Sequence, residues 1–242
     1  GRTSSWFDLS ENSLDPILAI LKIALKRNLS NGELYNFLKQ NLMIQSDLIS
    51  PINAAEVVGF DRNNKSILFD FPAWSFVLPW QVENIKEKFH TFPISVKNDR
   101  FKSGFKIDSN DPVEIMKLNK LGSLDSHVKQ YISLLDSIDK NGLLQGKKYG
   151  YISAFILIDG ECWRWIVGGE GNHRAAAASA IGCNELDVLV EGIIRKEESR
   201  WWPNVCNGIY TISQAEQVFD DIFNANPSFV YSSWKSYFTN KI

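Results

Sequence analysis

A glycine-rich junction between a strand and a helix places the strongest constraint on how this chain folds. Residues 168–171 read Gly-Gly-Glu-Gly and follow the apolar run 163–167, which is typical of a strand. The alanine-rich run 172–181 comes next and predicts a helix, because alanine has the highest helix propensity. Gly182 suits the left-handed position just beyond the end of that helix. The polar residues of the junction are Glu170, Asn172, His173 and Arg174.

Such a junction is typical of an anion site, and phosphate is the expected anion. N–H groups at a helix start are unpaired, and the helix dipole adds partial positive charge there. Gly169 and Gly171 let an anion approach the backbone, and Arg174 adds a bidentate donor. A cation in the first turn opposes the dipole, so there is little structural reason for Arg174 unless an anion pairs with it; the alternative is a buried structural ion pair. The alternative is a turn that binds nothing, since the spacing matches neither the P-loop nor the dinucleotide fingerprint.

Composition and charge narrow the class of protein. The 242 residues are 44% hydrophobic and 22% charged, which is ordinary for a globular protein with a core. The net charge of -2 lacks the basic excess of non-specific nucleic-acid binders, so duplex DNA is not an expected partner. Three widely spaced cysteines form neither a disulfide framework nor a zinc pattern. With no membrane-length apolar run and no evident signal peptide, the chain is expected to be cytoplasmic without a membrane partner.

The N-terminal half predicts helices followed by a β-hairpin. Apolar residues at helical spacing over 14–27 indicate one helix, and the capping box Ser30-Asn31-Gly32-Glu33 begins a second that ends near Asn41. Two apolar runs, 56–60 and 66–71, flank turn residues and predict a pair of strands. Residues 93–106 begin with a proline and are rich in lysine, which favours an irregular segment.

The C-terminal half predicts the elements around the junction. Residues 126–141 form an amphipathic helix that ends at Asn141-Gly142. Strands over 151–158 and 161–167 join through Asp159-Gly160, a strong hairpin signal. A further strand covers 186–190. The capping box 213–216 then begins a helix that ends near Asn226-Pro227.

This order of elements, together with Gly171-Asn172-His173-Arg174 and the segment Pro79-Trp80-Gln81, resembles the ParB/sulfiredoxin-like superfamily. The resemblance covers residues 54–198. It implies an α+β fold with a mixed sheet. Outside this domain, the two helices predicted within residues 1–53 form an N-terminal helical hairpin, and residues 199–242 form a short C-terminal helical extension.

The resemblance also implies nucleotide binding, in agreement with the anion site. In that superfamily the matching positions hold nucleotide phosphates; here they are Gly171, Asn172, His173 and Arg174. The expected ligand is ATP or ADP with Mg²⁺, with CTP as an alternative. Sulfinic acid reduction needs a cysteine where this chain has Asn172, and a DNA clamp needs a further DNA-binding domain. The leading expectation is a nucleotide-dependent phosphotransferase acting on a small hydroxyl-bearing metabolite. The alternative is a nucleotide-responsive binding or regulatory protein without catalysis, with DNA association as an open variant.

A phosphotransferase needs phosphate donors and a base that orients the acceptor hydroxyl. Glu170 and His173 are the candidate catalytic residues, and Glu170 is also a candidate magnesium ligand. Glu197 and Glu198 follow a strand, and the resemblance implies that they are candidate metal ligands, because the clamp proteins of that superfamily have a metal-contacting acidic group nearby. Several tryptophans are candidates for stacking on a base or for packing in the core: Trp74, Trp80, Trp201 and Trp202.

Overall fold

The computed structural model of the chain describes residues 15–102, 104, 106–116, 124–146, 148–183, 185–226 and 228–239. The fold is α+β, as expected, with helices around a small mixed sheet. The helices that build the core and the site are α1 (Pro16–Lys26), α2 (Asn31–Leu48), α3 (Ala54–Val57), α4 (Ile85–Lys102), α5 (Leu124–Asn141), α6 (Asn172–Ile181), α7 (Pro203–Cys206), α8 (Ile212–Phe223) and α9 (Ser232–Thr239). The strands are β1 (Ile152–Asp159), β2 (Cys162–Val167) and β3 (Val188–Arg195). Within this described part, no helix combines the length and the apolar character needed to cross a membrane.

The predicted N-terminal helical hairpin is confirmed, although Leu14 lies outside the described residues. The carboxylate of Asp15 caps α1, and the predicted capping box of Ser30 and Glu33 begins α2. α2 runs to Leu48 instead of ending near Asn41. Both helices contribute to one apolar cluster with α5, α6 and α9, so they share a core with the rest of the chain.

The sheet is organised around β1, its central strand. β1 and β2 form the predicted antiparallel hairpin, in which Gly160 has a φ of +58°. β3 is parallel to β1, with α6 as the crossover, and it extends to Arg195 beyond the predicted end at Val190. A bulge in this parallel pair leaves Glu191 without an opposite residue on β1.

The two faces of the sheet are covered differently. One face packs against an apolar cluster built largely from residues 54–85 and 202–222; the sheet contributes Leu157, Ile166 and Ile194. On the other face, α6 lies over the end at which β1 begins. There Ala175 is buried against Ile152 and Val167.

The predicted hairpin over 56–71 is wrong. Residues 54–57 form the helix α3, and residues 67–70 form a turn of 3-10 helix. Side-chain caps explain the difference: Asn53 accepts the N–H of Glu56, and Ser66 accepts the N–H of Leu68. Short apolar runs do not distinguish a strand from a buried helical turn, and the caps decide here.

Two further boundaries differ from the sequence patterns. Residues 93–102 are not irregular, because α4 continues through a buried Pro93. The capping box predicted at residues 213–216 lies two residues too far along the chain. Thr211 and Gln214 form the capping box in the structure, and α8 begins at Ile212. Pro227, near the expected end of that helix, lies outside the described residues; the structure ends α8 at Phe223.

Candidate anion site at the start of α6

The junction places Gly171 immediately before α6 in a conformation that only glycine accommodates. Its φ is +83°, in the left-handed region. A Cβ atom built on Gly171 lies 2.7 Å from the Cα atom of Ile152, so a side chain would collide with the backbone of β1. The carbonyl of Gly171 accepts the first bond of the helix, from the N–H of Ala175 at 2.8 Å. The predicted strand-to-helix junction is therefore confirmed, and the close approach to β1 fixes its position.

The first turn of α6 is electrostatically open to an anion. It carries no acidic residue, and no side chain caps Gly171. The backbone N–H groups of His173 and Arg174 have no hydrogen-bond acceptor in the part of the chain that the structure describes. Gly169 is exposed, with no atom within 4 Å of a Cβ built on it, so there is room beside the loop. Unpaired N–H groups and the helix dipole together favour negative charge here.

The side chain of Arg174 has a structural role that the sequence did not indicate. Its Nη1 donates to the carbonyls of Tyr149 and Gly150 at 2.8 and 2.9 Å. Its Nη2 donates to the carbonyl of Tyr151 at 2.7 Å. Three of the five guanidinium N–H groups therefore hold the segment that leads into β1. These hydrogen bonds give Arg174 a structural role besides any anion, and its positive charge still lies near the helix start.

His173 lies in an aromatic cluster with two residues of α5. Its ring contacts Tyr131 edge-on, with centroids 5.0 Å apart, and the ring of His127 at 5.7 Å. Burial lowers the pKa of His173. Burial, followed by the charge of His173, lowers the pKa of His127 to about 4. Both imidazoles are therefore neutral near pH 7, and a neutral imidazole still offers one N–H to an acceptor.

Two glutamates approach Ser153 at the loop, Glu170 through its backbone and Glu191 through its carboxylate. The hydroxyl of Ser153 accepts the N–H of Glu170 at 2.9 Å, and the side chain of Glu170 is exposed. A Cβ atom built on Gly168 lies 2.6 Å from Ser153 Oγ and 2.8 Å from Glu191 Oε2. Gly168 is therefore required by close packing, and the bulge of β3 brings the Glu191 carboxylate to the junction.

The structure does not bring Glu197 and Glu198 to the junction. The junction follows the end of β2, beside the start of β1, whereas Arg195 pairs with Ile158 near the other end of β1. At about 3.3 Å per residue, the two ends of β1 are roughly 20 Å apart. The two glutamates follow Lys196, one residue beyond Arg195, and lie exposed at that far end. Among the described residues, no group of three or more histidine, cysteine, aspartate or glutamate side chains has metal-binding geometry.

The tryptophans proposed for stacking are mostly part of the core. Trp80 and Trp202 contact each other edge-on with ring centroids 5.3 Å apart, and both contact Phe219. Trp74 stacks on Phe89. Trp201 is largely exposed, but it follows β3 at the far end of the sheet. These contacts do not place Trp74, Trp80, Trp201 or Trp202 at the junction.

Sequence reasoning missed four residues near the junction. Two of them carried a signal: His127 and Tyr131 are four residues apart, so a helix places them on one face. Ser153 and Glu191 carried none, since their approach to Gly168 depends on the strand register and on the bulge.

No family model, curated protein or solved structure matches the chain. The resemblance to the ParB/sulfiredoxin-like superfamily therefore stays a prediction, and the site is judged by its own geometry.

Proposed function

We propose that this chain is a nucleotide-responsive binding protein that holds the phosphates of ATP or ADP at the start of α6, with CTP as the alternative. The observation that carries the proposal is the glycine-capped helix start: its first turn has no acidic side chain, and the N–H groups of His173 and Arg174 have no acceptor among the described residues. Helix starts of this kind bind phosphate through backbone N–H groups and the helix dipole.

The side chains around the helix start have distinct roles in this proposal. His173 donates one N–H to a phosphate oxygen from its half-buried position. Arg174 contributes its charge and holds the 149–151 segment, instead of forming a bidentate contact with phosphate. That segment carries the rings of Tyr149 and Tyr151, which are 47% and 44% exposed and offer stacking surfaces for a base.

Phosphoryl transfer to a small hydroxyl-bearing metabolite is the second candidate function. Glu191, next to Gly168, favours it, together with the exposed Glu170 on the same loop. A carboxylate in this place is able to orient an acceptor hydroxyl or to hold Mg²⁺ that is bound with the nucleotide. Glu197 and Glu198 have no part in this version, because they lie at the far end of the sheet.

Calorimetry with ATP, ADP and CTP, with and without Mg²⁺, tests the binding. The informative variant is Asn172→Asp, which places a carboxylate in the first turn of α6. We expect it to weaken nucleotide binding at least about tenfold through like-charge repulsion. The same carboxylate interacts favourably with the helix dipole, which offsets the loss of the long hydrogen bond that Asn172 Nδ2 donates to the Gly168 carbonyl at 3.5 Å, so the change in stability should be small. Asn207→Asp makes the same chemical change at an exposed position outside the junction and is the matched control. Absence of binding at millimolar concentrations of all three nucleotides contradicts the proposal.

Incubation of the protein with nucleotide, Mg²⁺ and a pool of metabolites separates the two functions. A new phosphorylated metabolite supports transfer, whereas binding without turnover supports the regulatory protein. If transfer occurs, Glu191→Gln and Glu170→Gln should each retain nucleotide binding, and at least one should abolish turnover. Turnover that survives both changes would exclude these carboxylates as bases.

A further inference from the structure

Three aromatic rings between α5 and the start of α6 carry polar atoms that have no partner. The ring of His173 packs against His127 and Tyr131 of α5, with centroids 5.7 and 5.0 Å apart. Tyr131 is only 4% exposed, and both histidines are half-buried. Within the described ranges, none of these three side chains forms a hydrogen bond. We call the three residues the donor cluster.

Unpaired polar groups at this depth are unusual in a folded protein. Most buried polar side chains have a hydrogen-bond partner, because a buried donor without one lowers stability. Apolar side chains of similar size would pack between the two helices without this cost. No polar atom of the donor cluster is fully enclosed by the described residues, so a ligand is able to reach it. The cluster is therefore explained by a ligand that supplies the missing acceptors.

All three side chains of the cluster are hydrogen-bond donors. Burial, followed by the charge of Asp15, raises the pKa of Tyr131 well above its ordinary value, so the hydroxyl keeps its proton. Each neutral imidazole provides one N–H. The carboxylate of Asp15 is not available as their acceptor, because it accepts the N–H groups of Ile17 and Leu18 at the start of α1. Three convergent donors match a ligand that is rich in acceptor oxygens, such as a phosphate group.

We infer that the donor cluster binds the second phosphate of the nucleotide, while the N–H groups at the start of α6 bind the first. His127 and Tyr131 then determine specificity, because they make the site select di- and triphosphates over monophosphates. This inference rests on the anion site of the proposed function.

His173 joins the two parts of the site. Its backbone N–H belongs to the helix start, and its ring belongs to the donor cluster. An oxygen that accepts an imidazole N–H at about 2.9 Å lies roughly 4 Å from the ring centroid. Centroids 5.7 Å apart therefore allow one phosphate group to contact the rings of His127 and His173 together.

Calorimetry with ADP, AMP, pyrophosphate and inorganic phosphate tests the assignment. The wild-type chain should bind ADP at least about tenfold more tightly than AMP, and pyrophosphate more tightly than phosphate. Tyr131→Phe removes one hydroxyl and His127→Phe removes one N–H donor, while each keeps an aromatic ring in place. Each variant should weaken the binding of ADP and pyrophosphate about tenfold. The affinity for AMP should change less than about twofold, because its single phosphate lies at the helix start.

Tyr210→Phe is the matched control for Tyr131→Phe. The hydroxyl of Tyr210 donates to the carbonyl of Val77 within the apolar cluster on the opposite face of the sheet. Tyr210→Phe should therefore lower the free energy of unfolding and leave ligand affinity unchanged. Tyr131→Phe should weaken binding without lowering the free energy of unfolding, because its hydroxyl has no protein partner to lose. His90→Phe is the control for His127→Phe, since His90 is exposed on α4, which contributes no residue to the cluster.

The assignment is overturned by a wild-type chain that binds ADP no more tightly than AMP. It is also overturned if Tyr131→Phe and His127→Phe leave ADP and pyrophosphate affinity unchanged, or weaken AMP and ADP equally. A loss of stability in Tyr131→Phe as large as that in Tyr210→Phe has the same consequence, because the hydroxyl then has a structural partner. Pyrophosphate binding that depends on the donor cluster supports the inference even if no nucleotide binds, and in that case only the proposed nucleotide function fails. A chain that binds none of the four ligands contradicts both.

Discussion

The two glycines that flank α6 allow a direct measurement of how closely the helix start approaches β1. Gly171 has a φ of +83° and Gly182 a φ of +99°, so alanine is strained at both positions. The space around them differs. A Cβ atom on Gly182 has no atom within 4 Å, whereas one on Gly171 lies 2.7 Å from Ile152 Cα. Comparison of Gly171→Ala with Gly182→Ala therefore separates the cost of the close approach from the cost of the left-handed backbone.

The expected magnitudes follow from these contacts. A left-handed alanine costs about 1–2 kcal/mol, partly offset by about 0.4–1 kcal/mol because alanine restricts the unfolded chain. Gly182→Ala should therefore lower the free energy of unfolding by about 1 kcal/mol. At Gly171 the Cβ atom approaches a backbone atom, which has to move, and overpacking typically costs a further 1–3 kcal/mol or so. Gly171→Ala should lower the free energy of unfolding by about 2–4 kcal/mol.

Urea unfolding followed by circular dichroism gives both free energies, provided that the slopes of the two transitions agree. Nucleotide titration of the folded variants adds a second measurement, because displacement of Gly171 also moves the N–H groups of the proposed site. Gly182→Ala changes the far end of the helix and should therefore leave nucleotide binding unchanged. Equal losses of stability in the two variants would refute the close approach to Ile152 and, with it, the constraint that positions the site.

Three further predictions concern other side chains. Arg174→Ala should lower the free energy of unfolding by about 2–3 kcal/mol, because it removes charge-assisted hydrogen bonds to residues 149–151. Arg174→Lys should restore only part of that stability. A loss below about 0.5 kcal/mol for Arg174→Ala in urea unfolding contradicts this structural role. His127 has a folded pKa of about 4 and an ordinary value of 6.5, so as the pH falls from 6.5 towards 4 the unfolded chain takes up a proton that the folded chain does not, and the free energy of unfolding falls. Because the ring of His127 is partly exposed, the effect is smaller than the full pKa shift implies, and His127→Asn should remove about 2 kcal/mol of the acid-induced loss in the free energy of unfolding. The free energies of unfolding of the wild type and of His127→Asn are compared at each pH. This comparison is needed because burial raises the pKa of Asp15 to about 6, so that Asp15 increases the stability of both proteins as the pH falls. Replacement of Glu197–Glu198 by two glutamines should leave nucleotide and Mg²⁺ affinity unchanged in calorimetry, and a large loss would place these residues in the site after all.

The sequence alone determined the elements whose signals are local. The hairpin turn at Gly160, the alanine helix and its glycine ends each depend on the conformational preferences of a few adjacent residues. The capping box of Ser30 and Glu33 is equally local. For this reason the strand-to-helix junction, and the candidate anion site within it, could be predicted from the printed sequence.

Only the tertiary structure decided what depends on contacts between distant residues. The short apolar runs in 54–71 became helical turns because Asn53 and Ser66 cap them and because their side chains are buried in a shared core. The role of Arg174 depends on carbonyls more than twenty residues earlier in the chain. Glu197 and Glu198 are separated from the junction by the parallel pairing of β3 with β1, which sets the end of the sheet at which they emerge. Strand direction and register are global properties, because they are selected by the packing of the whole core and not by any single segment.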